Sequence, residues 1–172
     1  MELRNISADS ADIDVFESIN EEAIPENERN SLADLIATGA QVIGIYEDMP
    51  AGFMVIRIYK DIVYLAYLAV RRDLRSRGTG SRALAALSGM YEGYQIVVEY
   101  EVPADELSIR RKGFYMRAGF HETGWYTFYD DAEFEIACMG KDYDADMFAE
   151  FTVHLSALVS DHIPKPYRKD IT

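Results

Sequence analysis

The sequence predicts an α/β (α+β) domain built on a mixed, mostly antiparallel sheet of about seven strands, with helices on both faces. Three observations predict it. Short runs rich in β-branched and aromatic residues recur along the chain. Segments with apolar residues at helical spacing lie between them. One long apolar run, "IVYLAYLAV" (62–70), is followed by a glycine loop, a helix pattern and another strand pattern, the order of a parallel strand–helix–strand unit.

Each element has its own reason. "MELRNIS" reads as an opening strand. Asp9 or Ser10 is placed to cap a helix through about Glu22, with Ile13, Phe16 and Ile19 on one face. Pro25 ends it, and "NERNSLADLIATG" reads as a second helix stopped at Gly39. "QVIGIYE" and "GFMVIRIY" make a hairpin around "DMPA", and "DIVYLAYLAV" is apolar on both faces, as a central strand is. A helix over about Thr79 to Glu92 follows the glycine loop, with Leu84, Leu87 and Tyr91 on one side. In "QIVVEYE" (95–101), Gln95, Val97, Glu99 and Glu101 share one face, and Ile96, Val98 and Tyr100 the other. "DELSIRRKGFYMRAG" is a helix stopped at Gly119, and "GFHETGWYTFYDDAEFEIACMG" gives two strands turning at Asp130-Asp131. A last helix, about Ala145 to Ser160, spaces Phe148, Phe151, Leu155 and Leu158 along one stripe.

The 172 residues suffice for one domain with a real core, and no repeat or linker divides them, so a single domain over 1–172 is expected. The apolar runs are too short to span a bilayer, and no signal peptide is read at the N-terminus. One cysteine, Cys138, gives no disulfide framework and points to a reducing, cytoplasmic setting. Cys138 sits among apolar residues and reads as a buried, inert thiol. His121, His154 and His162 are scattered without metal-ligand spacing, so no metal is expected, and His154 is read at a core edge. No membrane partner is expected, and the net charge of −13 argues against a nucleic-acid partner and is compatible with a cationic substrate, although acidity is common in soluble proteins.

Against that acidity, "VRRDLRSRGTGSR" concentrates Arg71, Arg72, Arg75, Arg77 and Arg82. A glycine loop opening a helix offers backbone N–H groups and the positive helix end to an anion. It can equally be an ordinary strand-to-helix turn. A P-loop needs Gly-Lys-Ser or Gly-Lys-Thr, and no such lysine is present. "GTGSRA" fits G-x-G-x-x-A, with Glu99 about twenty residues on, but seven residues separate Val70 from Gly78 and the strand order is wrong for a dinucleotide fold.

"LAVRRDLRSRGTGSRAL" resembles the coenzyme-A-binding motif of the GNAT superfamily of N-acetyltransferases: Arg75, Ser76-Arg77, Gly78, Thr79, Gly80. "GFYMRAGF" (113–120) resembles that family's second signature, on the next helix. The resemblance covers most of the chain and is weakest in the N-terminal helices and after Gly140. It implies a sheet splayed in a V between strands four and five, with acetyl-CoA as co-substrate in the gap. The backbone of Leu68, Ala69 and Val70 would meet pantetheine and thioester, and the N–H groups from Arg75 through Ser76, Arg77, Gly78, Thr79 and Gly80 to Ser81 would hold the pyrophosphate. Ser108 stands where the family often has an asparagine contacting the cofactor. Tyr115 matches the tyrosine that often protonates the departing thiolate; alternatively it packs on an aromatic-rich helix.

The family often places a glutamate base on strand four, and "YLAYLAV" has no carboxylate. Glu99 and Glu101 on strand five are the substitutes, or they form a solvated face or pair with an arginine of the next helix. Arg110, Arg111 and Lys112 reach CoA phosphates or balance the acidic surface. Tyr64 and Tyr67 line an acceptor pocket or pack in the core, and Trp125 with its tyrosines frames the acceptor site or a dimer edge, so a homodimer stays open. The expected activity is transfer of an acetyl (acyl) group from acetyl-CoA to a primary amine of a small molecule or peptide by direct attack. The alternative is a non-catalytic, CoA-binding regulatory or interaction module with the same fold.

Overall fold

A computed structural model describes residues 1–169. The strands are β1 (Glu2–Ile6), β2 (Gln41–Tyr46), β3 (Pro50–Tyr59), β4 (Ile62–Val70), β5 (Gln95–Glu101), β6 (His121–Tyr129), β7 (Ala132–Gly140) and β8 (Tyr167–Arg168). The helices are α1 (Ile13–Ala23), α2 (Leu32–Ala37), α3 (Thr79–Met90), α4 (Glu106–Arg117) and α5 (Ala145–Val159). The sheet order is β1-β2-β3-β4-β5-β7-β6-β8. β4 and β5 run parallel, with Ile62, Val63 and Tyr64 opposite Gln95, Ile96 and Val97. The β1–β2, β2–β3, β5–β7, β6–β7 and β6–β8 pairs are antiparallel. The sheet therefore has eight strands among the described residues rather than about seven. The extra one is two residues long and carries no alternation to read.

The helix starts follow local hydrogen bonding. Ser31, Asp105 and Asp144 each accept the N–H three residues on, capping α2, α4 and α5. α1 begins later than Asp9 or Ser10 would place it. Ser7, Asp9 and Ser10 bond one another in a turn, and Asp12 takes the cap position while its carboxylate accepts the Tyr46 hydroxyl at 2.8 Å.

The chain forms two compact units. One comprises Met1–Ile58 and Leu65–Met90, the other Tyr59–Tyr64 and the described residues 91–169. The first unit's core gathers Phe16 and Ile19 of α1, Leu32 and Leu35 of α2, Val42, Phe53 and Val55 of the hairpin, and Ala69 of β4. The second unit packs α5 on one sheet face through Phe148, Phe151 and Leu155 against Ile62, Val97, Ile136 and Cys138. The stripe continues to Val159, four residues after Leu155, so Leu158 is exposed instead of buried. On the other face Tyr100 of β5 stacks on Tyr115 of α4, with ring centroids 5.7 Å apart. Successive β5 residues thus serve two helices, as their alternation requires.

Candidate active site

In the first unit, β4 ends against β3. The Arg71 N–H donates to the Ala51 carbonyl at 2.9 Å. A Cβ on Gly52 would lie 2.2 Å from the Ala69 carbonyl oxygen, so only glycine permits this approach. Ala69 is buried, while Leu68 and Val70 are partly exposed.

A single 3-10 turn, Arg72–Leu74, then leads to the loop. Ser76 and Gly78 take left-handed φ of 61° and 79°. The first N–H of α3 with an in-chain acceptor is that of Arg82, which bonds the Gly78 carbonyl at 3.0 Å. The N–H groups of Arg77, Gly78, Thr79, Gly80 and Ser81 have no acceptor among the described residues. Open donors at the start of a twelve-residue helix are an arrangement able to receive an anion.

The arginines largely shape this loop. Arg75 donates to the Val70 carbonyl at 2.9 Å. Arg82 donates to the Arg77 carbonyl and pairs with Glu47 at 2.6 Å. Arg71 pairs with Asp73, and Arg72 lies 3.8 Å from Glu22. The Arg77 guanidinium is exposed and has no partner among the described residues.

In the second unit, Glu99 is the centre of a hydroxyl cluster. Tyr64 and Tyr129 both donate to its Oε2, at 2.6 and 2.9 Å, and Thr127 donates to Oε1 at 2.6 Å. Burial pushes the Glu99 carboxyl above its ordinary value, and the three donors only partly oppose this. Neither an arginine pair nor a solvated face describes Glu99. Glu101, two residues on, is exposed at the strand end.

α4 holds Tyr115. The ring stacks on Tyr100 and meets Phe114 and Phe120 edge-on. Burial raises its hydroxyl to about 12, with Arg111 opposing, so it is protonated near neutral pH. The Ser108 hydroxyl donates to Asp105 Oδ1 at 2.7 Å and accepts the Ala104 and Asp105 N–H groups, so the helix cap occupies it. Lys112 ion-pairs with Glu122 and, at 2.9 Å, with Glu135, while exposed Arg110 pairs with Glu106 at 3.0 Å and Arg111 is exposed.

Of the remaining candidates, Tyr67 donates to the Glu28 carbonyl at 2.8 Å. His154 is exposed, with its ring 5.0 Å from Tyr59. Cys138 is fully buried and its thiol is raised to about 12 by burial. Among the described residues no cluster of three or more His, Cys, Asp or Glu residues could hold a metal ion, and no helix is long and apolar enough to cross a membrane. Sequence reasoning missed Thr127, Tyr129 and Gly52. Alternation does place Thr127 and Tyr129 on one face of β6, but nothing in it shows that this face meets Glu99.

An open mixed sheet with one parallel pair, whose β4 leads through a glycine loop into a helix with open N–H groups, is a fold that can take an anion at that helix start. The model of the acetyltransferase (GNAT) family matches residues 8–120, more than half of the chain. The chain belongs to this family. It is similar in structure to a Bacteroides thetaiotaomicron protein assigned to the GNAT acetyltransferases, with 25% identity, TM-score 0.76, and coverage of 95% of this chain and 99% of that one. The ribosomal-protein-S18-alanine N-acetyltransferase of Escherichia coli shares the fold at 16% identity and TM-score 0.62, over 83% of this chain and 97% of its own. The aminoglycoside 6'-N-acetyltransferase of Enterococcus faecium does so at 13% identity and TM-score 0.63, over 84% and 100%. No curated protein matches the sequence.

Proposed function

We propose that the chain is an N-acetyltransferase that moves the acetyl group of acetyl-CoA to a primary amine of a small molecule or peptide. The observation that carries this reading is the run of open N–H groups from Arg77 to Ser81 at the start of α3. A pyrophosphate needs such donors, and Gly78 supplies the left-handed turn that presents them. In this reading Arg75, Ser76, Arg77, Gly78, Thr79, Gly80 and Ser81 form the cradle. The backbone of Leu68, Ala69 and Val70 borders the pantetheine arm, and a backbone N–H there steadies the charge developing on the thioester oxygen.

Glu99 serves as general base, because its raised carboxyl sits closer to neutral pH than an ordinary carboxylate. Glu101, exposed at the end of the same strand face, is the second candidate. The neutral amine attacks the thioester carbonyl, the tetrahedral adduct's nitrogen gives its second proton to solvent, and the adduct collapses to the amide as CoA leaves as its thiolate. Tyr115, protonated near neutral pH, gives that thiolate a proton. Ser108 contributes by fixing the start of α4. The relatives' CoA complexes, such as that of a Thermoplasma acidophilum N-acetyltransferase, support the choice of co-substrate.

Calorimetry with acetyl-CoA, followed by thiol release against a panel of amines, tests this. Binding and thiol release with at least one amine is the expected result. Binding without release across the panel favours a CoA-binding module, the reading that the carboxylate-free β4 suggests. No binding defeats both.

A further inference from the structure

The cluster around Glu99 has a directional geometry, and it names a further catalytic residue for the reaction proposed above, on which it rests. With Glu99 ionised, Tyr64, Tyr129 and Thr127 all direct their hydroxyl hydrogens inward at its carboxylate. The outward side of each hydroxyl is then lone pair only. When Glu99 takes up a proton, one of these hydroxyls must accept it as a hydrogen-bond donor and turn its own hydrogen away. Protonation of Glu99 and reversal of one neighbouring hydroxyl are therefore a single event.

Geometry selects which hydroxyl reverses. Thr127 is fully buried. The Tyr64 ring is backed by Phe148 and Phe151 of α5, at centroid distances of 6.1 and 5.2 Å. The Tyr129 ring meets Phe134 edge-on at 5.2 Å. It is the last residue of β6, flanked by exposed Phe128 and by the exposed turn residues Asp130 and Asp131. We propose that Tyr129 is the proton relay: its oxygen takes the proton of the acceptor ammonium while its own O–H proton passes to Oε2 of Glu99.

The step balances. The broken N–H bond leaves its electron pair on nitrogen as the attacking lone pair. Tyr129 loses one proton and gains one. Ammonium and carboxylate become amine and carboxylic acid. The titratable groups facing Glu99 are Tyr64 of β4, Tyr129 of β6 and Tyr143, ahead of α5, whose buried hydroxyl has no hydrogen-bond partner among the described residues. None of its hydrogen-bond partners is a cation.

The test uses the full chain, acetyl-CoA and spermidine, kanamycin and an alanine-peptide amide as acceptors, read by thiol release against pH and against deuterium fraction. Tyr129→Phe is expected to lower the plateau kcat about 100-fold, with KM for acetyl-CoA within about threefold. It also turns a curved dependence on deuterium fraction, from two protons in flight, into a straight line. Tyr64→Phe moves the acidic limb to higher pH, because one donor to the carboxylate is gone, and leaves the dependence on deuterium fraction curved. Adding Tyr129→Phe to Glu99→Gln costs nothing further.

A Tyr129→Phe plateau within threefold of the unaltered protein, while Glu99→Gln loses its limb, overturns the relay and leaves the base standing. A Glu99→Gln variant that keeps rate and limb overturns the base, and the relay with it. No thiol release from any amine removes the enzyme reading itself. If Tyr129→Phe does not fold, the unaltered protein decides: a straight line in deuterium fraction overturns the relay.

Discussion

At position 52 a hydrogen is the largest side chain the fold accepts. Gly52→Ala would drive a methyl into the Ala69 carbonyl and the Val70 Cα, 2.2 and 3.1 Å from an ideal Cβ. Backbone has to move, which costs about 1–3 kcal/mol, and what moves is the strand end proposed to border the pantetheine arm. Urea unfolding should show that loss, and calorimetry at least a tenfold weaker uptake of acetyl-CoA. Glu99 makes a second prediction, in pH. Its folded pKa is raised, so the native state holds the proton more tightly than the unfolded chain. Stability from this group is present below the ordinary carboxylate pKa and is lost as pH rises through the folded value. Glu99→Gln should flatten the fall in Tm over that window, and remove the acidic limb of kcat. Glu99 itself was legible as a carboxylate at a strand end. Its partners were not, because they come from positions 28 to 35 residues away in sequence.

At the scale of the element, α4 shows how a helix is set. Asp105 and Ser108 close a capping box at its start, Lys112 ties its middle to Glu122 of β6 and Glu135 of β7, and Tyr115 stacks on Tyr100. Ser108→Ala should cost about 1 kcal/mol in urea unfolding and lower turnover through Tyr115 more than it weakens acetyl-CoA binding. Lys112→Met leaves Glu135, whose side chain is 13% exposed, without its cation, and should cost about 1–3 kcal/mol. The bounds of β5 and the turn at Asp130-Asp131 were readable, since alternation and turn chemistry act locally. The α1 cap was not. Asp9 and Ser10 were the candidates, but the cap position falls to Asp12, whose side chain makes no cap bond and instead accepts the hydroxyl of Tyr46 of β2, a partner that local sequence does not reveal.

For the molecule as a whole, the charge of −13 sets the field that an anionic ligand meets. Four of the five loop arginines are engaged with Glu22, Glu47, Asp73 or the Val70 carbonyl, so the cradle proposed above would work mainly through backbone donors. Raising salt from about 20 to 200 mM shortens the Debye length to below about 10 Å and screens the repulsion. Acetyl-CoA affinity should therefore hold or rise with salt, where a basic site would lose it; calorimetry at two salt concentrations checks the sign. The family assignment was legible in the glycine loop and the order of elements. The eighth strand was not. Tyr167-Arg168 pairs with Trp125 and Tyr126, Tyr167 reaches Glu133 at 2.7 Å, and the Lys169 ammonium sits 4.2 Å over the Tyr126 ring. These few residues act as a selvedge. They occupy backbone groups of β6 that would otherwise be available to a neighbouring molecule, and they set a positive charge at the border. A chain cut after Pro166 should scatter more light as its concentration rises, well before its melting temperature falls.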